Sequence, residues 1–276
     1  MAGRVIRTPL YARPGHFYSP VTSDADASRA ESQRAAMAEL HGIALRPGEQ
    51  LALAHELAPM WPKSADVWSR YDSNNRMFGL ADSSIYFSML MHYRPARIVE
   101  VGSGFSSALA LDVRDSVLPG LQLTFIEPYP DRLLGLLTPA DRARSELIRR
   151  PVQDVDIQCF ESLEAGDILF IDSSHVSKAG SDINWLFFHI LPRLKAGVHI
   201  HIHDIFYPFE YSSNWLEQRR SWNECYVVRA FLTCNDTFRI TMFASWLWAE
   251  HSEVVREFLP VSVDEQPGSL WLTKVH

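Results

Sequence analysis

The chain has no apolar run approaching the roughly 18 residues that a membrane-crossing helix needs, and its N-terminus lacks the hydrophobic stretch of a signal peptide. That predicts a cytoplasmic protein with no membrane partner. Cysteine is scarce: Cys159, Cys225 and Cys234 form an odd count without metal-type spacing, which fits free thiols in a reducing compartment rather than a disulfide framework. A basic excess is missing too, and the net charge of −7 argues against a nucleic-acid substrate. No internal repeat or low-complexity segment occurs. Aromatics, by contrast, are plentiful, with 8 Trp, and 276 residues suffice for a full core in one large domain or a domain with an appendage.

The chain is organised around Arg97–Leu111, RIVEVGSGFSSALAL. Ile98, Val99 and Val101 form a short apolar run, Gly102-Ser103-Gly104 a tight turn, and helical spacing begins at Ser106 or Ser107. Strand, glycine turn and helix start together set backbone N–H groups against a polar ligand. Gly102 and Gly104 are expected to adopt positive φ and to let a ligand approach the backbone. Glu100, the one charge in a buried strand, is expected to meet a cation or an N–H donor. The third glycine of the dinucleotide fingerprint is absent, which disfavours a pyrophosphate-containing cofactor and suits a nucleoside. A glycine turn with no ligand is the alternative.

About 20 residues further on, Leu121–Ile126 reads as a second strand ending on Glu127, where a carboxylate can accept both hydroxyls of a ribose. Asp167–Asp172 (DILFID) reads as a fourth, central strand, apolar on both faces. The series E-V-G-S-G, F-I-E and D-I-L-F-I-D resembles class I S-adenosylmethionine-dependent methyltransferases, and within them a small-molecule O-methyltransferase-like branch with a D-x-x-H motif. The resemblance covers roughly Arg70 to the C-terminus. It implies a Rossmann-like α/β fold: a seven-stranded, mostly parallel sheet with an antiparallel C-terminal strand, helices on both faces and an N-terminal helical extension. Residues 1–80 would be the arm and helical cap, and 81–276 the cofactor-binding domain. It further implies S-adenosylmethionine at Glu100, Gly102, Ser103, Gly104, Glu127 and Asp172, with Asp154 accepting from the adenine amino group. A helix cap is the other reading of Asp154.

Asp172-Ser-Ser-His175 leaves the C-terminal end of a central parallel strand, where open α/β sheets bind ligands. In His199-Ile-His201-Ile-His203-Asp204, alternation puts the histidines on one face of a strand and Asp204 on the other. His199 and His201 read as packed core histidines; His203 and Asp204 lie at the strand end. Catechol O-methyltransferase-like enzymes hold Mg²⁺ by an Asp after the fourth strand and an Asp-Asn pair after the fifth. Here those positions fall on Asp172, His203 and Asp204. Acid–His–acid departs from that pattern and favours a softer divalent metal ion, since Mg²⁺ prefers oxygen. Metal-free catalysis by Asp172 with His175 or His203 as general base is the alternative.

The expected function is O-methylation of a small hydroxylated acceptor, a sugar or a secondary metabolite. The rivals are N- or C-methylation at the same cofactor site, a non-catalytic nucleotide-binding α/β protein, and a metal hydrolase built on the His-x-His strand. A homo-oligomer is compatible with the sequence. Tyr71, Asn74, Asn75 and Phe78, together with Trp222–Arg229, have the polar aromatic mixture expected around the acceptor. Phe17 and Tyr18 are expected to pack from an extended arm onto the domain. Helices are expected at Ala25–Leu40, capped by Asp24, at Leu51–Met60 and Ser83–Tyr93, and further along at Val155–Leu163, Asn214–Leu232 and Ala249–Leu259.

Overall fold

The structure, a computed structural model, describes residues 10–61, 68–258 and 265–276. Its centre is a 7-stranded sheet in the order β3-β2-β1-β4-β5-β7-β6. The strands are β1 (Arg97–Val101), β2 (Gln122–Ile126), β3 (Glu146–Ile148), β4 (Ile168–Ile171), β5 (His199–Ile202), β6 (Phe238–Phe243) and β7 (Leu270–Lys274). All pairings are parallel except those of β7, which runs antiparallel to both β5 and β6. The C-terminal strands therefore form the expected antiparallel pair, with β6 outermost. β4 is apolar and wholly buried along its length, as a central strand covered on both faces must be.

Two helices, α1 (Asp24–Met37) and α2 (Pro47–Leu57), precede α3 (Leu80–Tyr93). Ser23 rather than Asp24 caps α1: its hydroxyl accepts from the Asp26 N–H while the Asp26 carboxylate reaches back, the reciprocal arrangement of a capping box. α2 begins at Pro47, and the Pro62 that follows it lies outside the described residues. α3 is buried without a break from Ala81 to Leu90, because it lies between the sheet and the N-terminal helices. Phe17 and Tyr18 do not reach the domain. They are 80% and 64% exposed and pack on each other, with ring centroids 4.1 Å apart.

After β1, α4 (Phe105–Ser116) returns along the sheet, followed past β2 by α5 (Asp131–Leu136) and α6 (Pro139–Arg144). Arg70 ties the chain before α3 to these helices: its guanidinium pairs with Asp112 at 2.7 Å and with Asp141 at 2.9 Å, and the buried Arg114 meets Asp141 at 2.8 Å. Removing one member of such a buried network costs ~3–5 kcal/mol. The loop 72–79 therefore starts from a fixed point.

The expected helix 155–163 shrinks to α7 (Gln158–Glu161), and α8 (Asp182–Trp185) opens the helical segment before β5. Asn214–Leu232 is not one helix. It divides into α9 (Ser213–Glu217) and α10 (Glu224–Leu232), because Arg219 and Ser221 both take left-handed backbone, with φ of 56° and 55°. The stretch after β6 is likewise two short helices, α11 (Ala244–Glu250) and α12 (Ser252–Arg256), and Leu259 lies outside the described residues. No helix among the described residues is long and apolar enough to cross a membrane.

Strand order reverses between β1 and β4, and a crevice opens there at the carboxyl ends of the strands.

Candidate active site

The crevice is floored by the turn after β1. Gly102 has φ of +84°, and a Cβ there would sit 1.7 Å from the carbonyl oxygen of Asp172, so only glycine lets the ends of β1 and β4 come this close. Gly104 differs from expectation. Its φ is −173° rather than positive, and an added Cβ would meet only the Arg132 side chain, at 3.2 Å. Glu127 stands beside the turn: Oε2 accepts from the Ser103 N–H at 3.2 Å and Oε1 from the Tyr129 N–H at 2.8 Å. Glu100 lies beneath, fully buried, and accepts from the Ser106 hydroxyl at 2.5 Å. Burial pushes its carboxyl up to about 8, so it is neutral at physiological pH and supports the start of α4 rather than facing the crevice.

Across the crevice, Asp172 and His175 follow β4, and His203 and Asp204 follow β5. His175 and Asp204 both have left-handed backbone, φ 58° and 57°, an arrangement that costs energy for residues with a Cβ and that turns both side chains toward one point. His175 Nε2 lies 3.4 Å from Asp172 Oδ1 and 3.6 Å from Asp204 Oδ2, while Nδ1 meets Glu224 Oε2 at 2.8 Å. The ligand-capable atoms of Asp172, His175 and Asp204 all fall within 4.8 Å of one another. His203 is not part of this group. It is buried, its ring tilted against Phe78 with centroids 5.3 Å apart, and reaches Asp204 Oδ1 only at 3.7 Å. The expected trio of Asp172, His203 and Asp204 is thus replaced by one in which His175 supplies the imidazole.

Electrostatics follow from this crowding. Burial pulls His175 down, but Asp172 and Glu224 outweigh it and hold the imidazole well above its ordinary value. Burial likewise opposes the charge on His203, yet Asp204, Asp172 and the buried Asp82 raise it to about 9. Burial works to raise Asp172, but His203 and His175 keep it below the usual carboxylate range. Asp204, by contrast, is held above that range by burial.

Asp172, His175, His203 and Asp204 line a cleft of about 540 Å³ that reaches from Gly102 and Glu127 to Trp215, Arg220 and Trp222. A second lobe of about 420 Å³ adjoins it and shares Gly102, Glu127 and Asp172. Residues 99–205, from β1 to just past β5, match a family described as a methyltransferase domain. Over these residues the chain carries a methyltransferase domain. The matched stretch contains the glycine turn, Glu127, Asp172, His175 and Asp204 of the methyltransferase. An uncharacterized protein of Archaeoglobus fulgidus is 38% identical over 164 residues, covering 55% of this chain and 73% of its own.

Among solved structures, the O-methyltransferase TomG of Streptomyces achromogenes, involved in tomaymycin synthesis, aligns with a TM-score of 0.44 at 15% identity over 91% of this chain and 99% of that one. A methyltransferase of Podospora anserina aligns with a TM-score of 0.41 at 17% identity over 92% and 97%. Likenesses this loose carry no argument about acceptor or chemistry.

Several expected residues of the methyltransferase lie elsewhere. Asp154 faces a separate groove with Arg97, Glu146 and Cys159; its neighbour Gln153 lines the second lobe instead. Asp154 caps no long helix either, since it lies in a single 3-10 turn. Tyr71 is buried, donating its hydroxyl to the carbonyls of Phe78 and Gly79. Asn75 is spent on its own loop, and Asn74 bonds Asp72. Arg229 donates to the carbonyls of Met37 and Pro208, away from the cleft. Trp222 and Phe78 do line it, together with Arg76, Trp215 and Arg220. His199 bonds Thr273, and His201 is buried flat against Phe170, as core histidines would be.

Proposed function

We propose that this methyltransferase methylates a hydroxyl oxygen of a small polar acceptor held beside Asp172, His175 and Asp204. The observation that carries the reading is the convergence of these side chains beside the glycine turn. S-adenosylmethionine, when bound, supplies a methyl group activated by the positive sulfur. Around it, the Glu127 carboxylate is positioned to accept ribose hydroxyls, its orientation fixed by the Ser103 and Tyr129 N–H groups. Gln153 donates from Nε2 to the Gly180 carbonyl, which leaves Oε1, buried and without a partner among the described residues, to accept from an adenine amino group.

Two carboxylates and an imidazole also suit a divalent cation. The mixed oxygen–nitrogen set leans from Mg²⁺ toward Mn²⁺, Fe²⁺ or Zn²⁺. Glu224 behind His175 is the carboxylate partner that metal-binding imidazoles commonly have. Such an ion would act as a Lewis acid that eases loss of the hydroxyl proton. The same cluster disfavours His175 as a free base, because Asp172 and Glu224 favour the protonated form of its imidazole. In-line transfer needs only that the acceptor oxygen be held against the methyl carbon, which Phe78, Trp215 and Trp222 support by walling the cleft.

The test is incubation of the full chain with methyl-labelled S-adenosylmethionine and a set of sugars, catechols and other polyols, with and without Mn²⁺, read by mass spectrometry. Methyl ether formation that depends on the ion is the expected result. Label appearing only on nitrogen or carbon acceptors would refute the reading.

A further inference from the structure

We infer that the acceptor carries an oxyanion, a carboxylate or a phosphate, and that Arg76 and Arg220 bind this anion. The inference rests on the reading of the cleft as the site of methyl transfer to a small acceptor. The half-buried Arg70 and the buried Arg114 are consumed by carboxylates. Arg76 and Arg220 line the cleft yet have no ion-pair partner among the described residues.

Both are held in place by something other than an acid. The Arg220 guanidinium lies 4.2 Å from the ring of Trp215 and 4.9 Å from that of Trp222, and its Nε donates to Gln218 Oε1 at 2.9 Å. Stacking and this single bond leave its terminal N–H groups free to form the two-pronged contact that carboxylates and phosphates accept. Left-handed backbone at Arg219 and Ser221, on either side, is a strained turn whose effect is to present Arg220. Arg76 sits at the tip of a loop that Asn75 ties together: Asn75 Oδ1 accepts from the N–H groups of Met77 and Phe78, and Nδ2 donates to the Phe78 carbonyl.

Charge in the cleft is divided accordingly. Asp172, Asp204 and Glu127 repel an anion, whereas Arg76, Arg220 and Arg132 attract one, Arg132 standing on the Asp172 side and held over the Phe105 ring. An acceptor with a hydroxyl at one end and an oxyanion at the other is oriented by that division, hydroxyl toward Asp172 and His175. The indole of Trp222, 4.4 Å from the His175 ring and 4.9 Å from the Arg220 guanidinium, links the two ends.

Calorimetry on the full chain saturated with S-adenosylhomocysteine tests this with glucuronate, a hexose phosphate and neutral methyl glucoside as probes. Binding of at least one anionic probe about tenfold tighter than the neutral one is expected, and the carboxylate and phosphate arms identify which anion is preferred. Arg76→Gln and Arg220→Gln should each erase most of that preference while S-adenosylhomocysteine still binds, which also shows that the variants fold. Equal affinity for charged and neutral probes, no anion binding, or a preference that survives both substitutions would overturn the inference. Loss of S-adenosylhomocysteine binding by the unsubstituted chain would instead count against the methyl-transfer reading.

Discussion

Glu224 Oε2 lies 2.8 Å from His175 Nδ1, a contact between two buried groups 49 residues apart that turns Nε2 of the imidazole toward Asp172 and Asp204. Glu224 has no other route to compensation: it is fully buried, and its Oε1 has no partner among the described residues.

Replacing this carboxylate should therefore be felt in stability and in the titration of His175. Glu224→Ala leaves a buried imidazolium short of a partner and should cost ~3–5 kcal/mol in denaturant unfolding. The sign with pH follows from the raised value of His175. Its pairing contributes fully below about pH 6.5, the unfolded value, and the contribution is lost as pH rises through the folded value. The deficit of Glu224→Gln should accordingly be largest on the acid side and shrink in alkali. Nitrogen-15 NMR of the imidazoles should show His175 losing its proton at lower pH in the variant.

The cluster was only partly legible in the sequence. Gly102, Glu127, Asp172 and Asp204 stand out because each follows a short apolar strand, a local pattern. The exchange of His203 for His175 could not be read that way, since it depends on left-handed backbone at His175 and Asp204 that no glycine or asparagine announces. Glu224 was hidden inside what looks like one helix; the break at Arg219 and Ser221 has no proline or glycine to mark it. Asp154 and Gln153 illustrate a finer limit: a single turn decides which of two adjacent polar side chains meets the cavity.

The two glycines of the turn should respond differently. Gly102→Ala forces a Cβ against the Asp172 carbonyl and left-handed backbone on alanine, and should abolish S-adenosylhomocysteine binding or folding. Gly104→Ala needs only a small displacement of the flexible Arg132 and should retain binding within a few-fold of the parent. Calorimetry and thermal melts on both variants check the contrast.

Glu127→Ala removes the proposed ribose acceptor without disturbing the core. It should weaken S-adenosylmethionine by ~1–3 kcal/mol through loss of charge-assisted hydrogen bonds, measured by titration of the folded variant.

Glu100 predicts a pH effect remote from the acceptor. Its carboxyl is raised from 4.5 in the unfolded chain to about 8 in the folded one. Across that window the unfolded state releases a proton that the native state retains, so stability falls as pH rises and levels off above the folded value. Glu100→Gln should flatten this part of the profile in urea unfolding series at successive pH values.

The most direct test of the site's chemistry is a Co²⁺ titration of the S-adenosylhomocysteine-loaded chain followed by visible absorption. Saturable binding of one ion per chain is expected, abolished in Asp172→Asn and Asp204→Asn and preserved in His203→Gln, because His175 rather than His203 completes the trio. No stoichiometric binding by the parent chain, or binding lost in His203→Gln but intact in Asp172→Asn, would contradict the account.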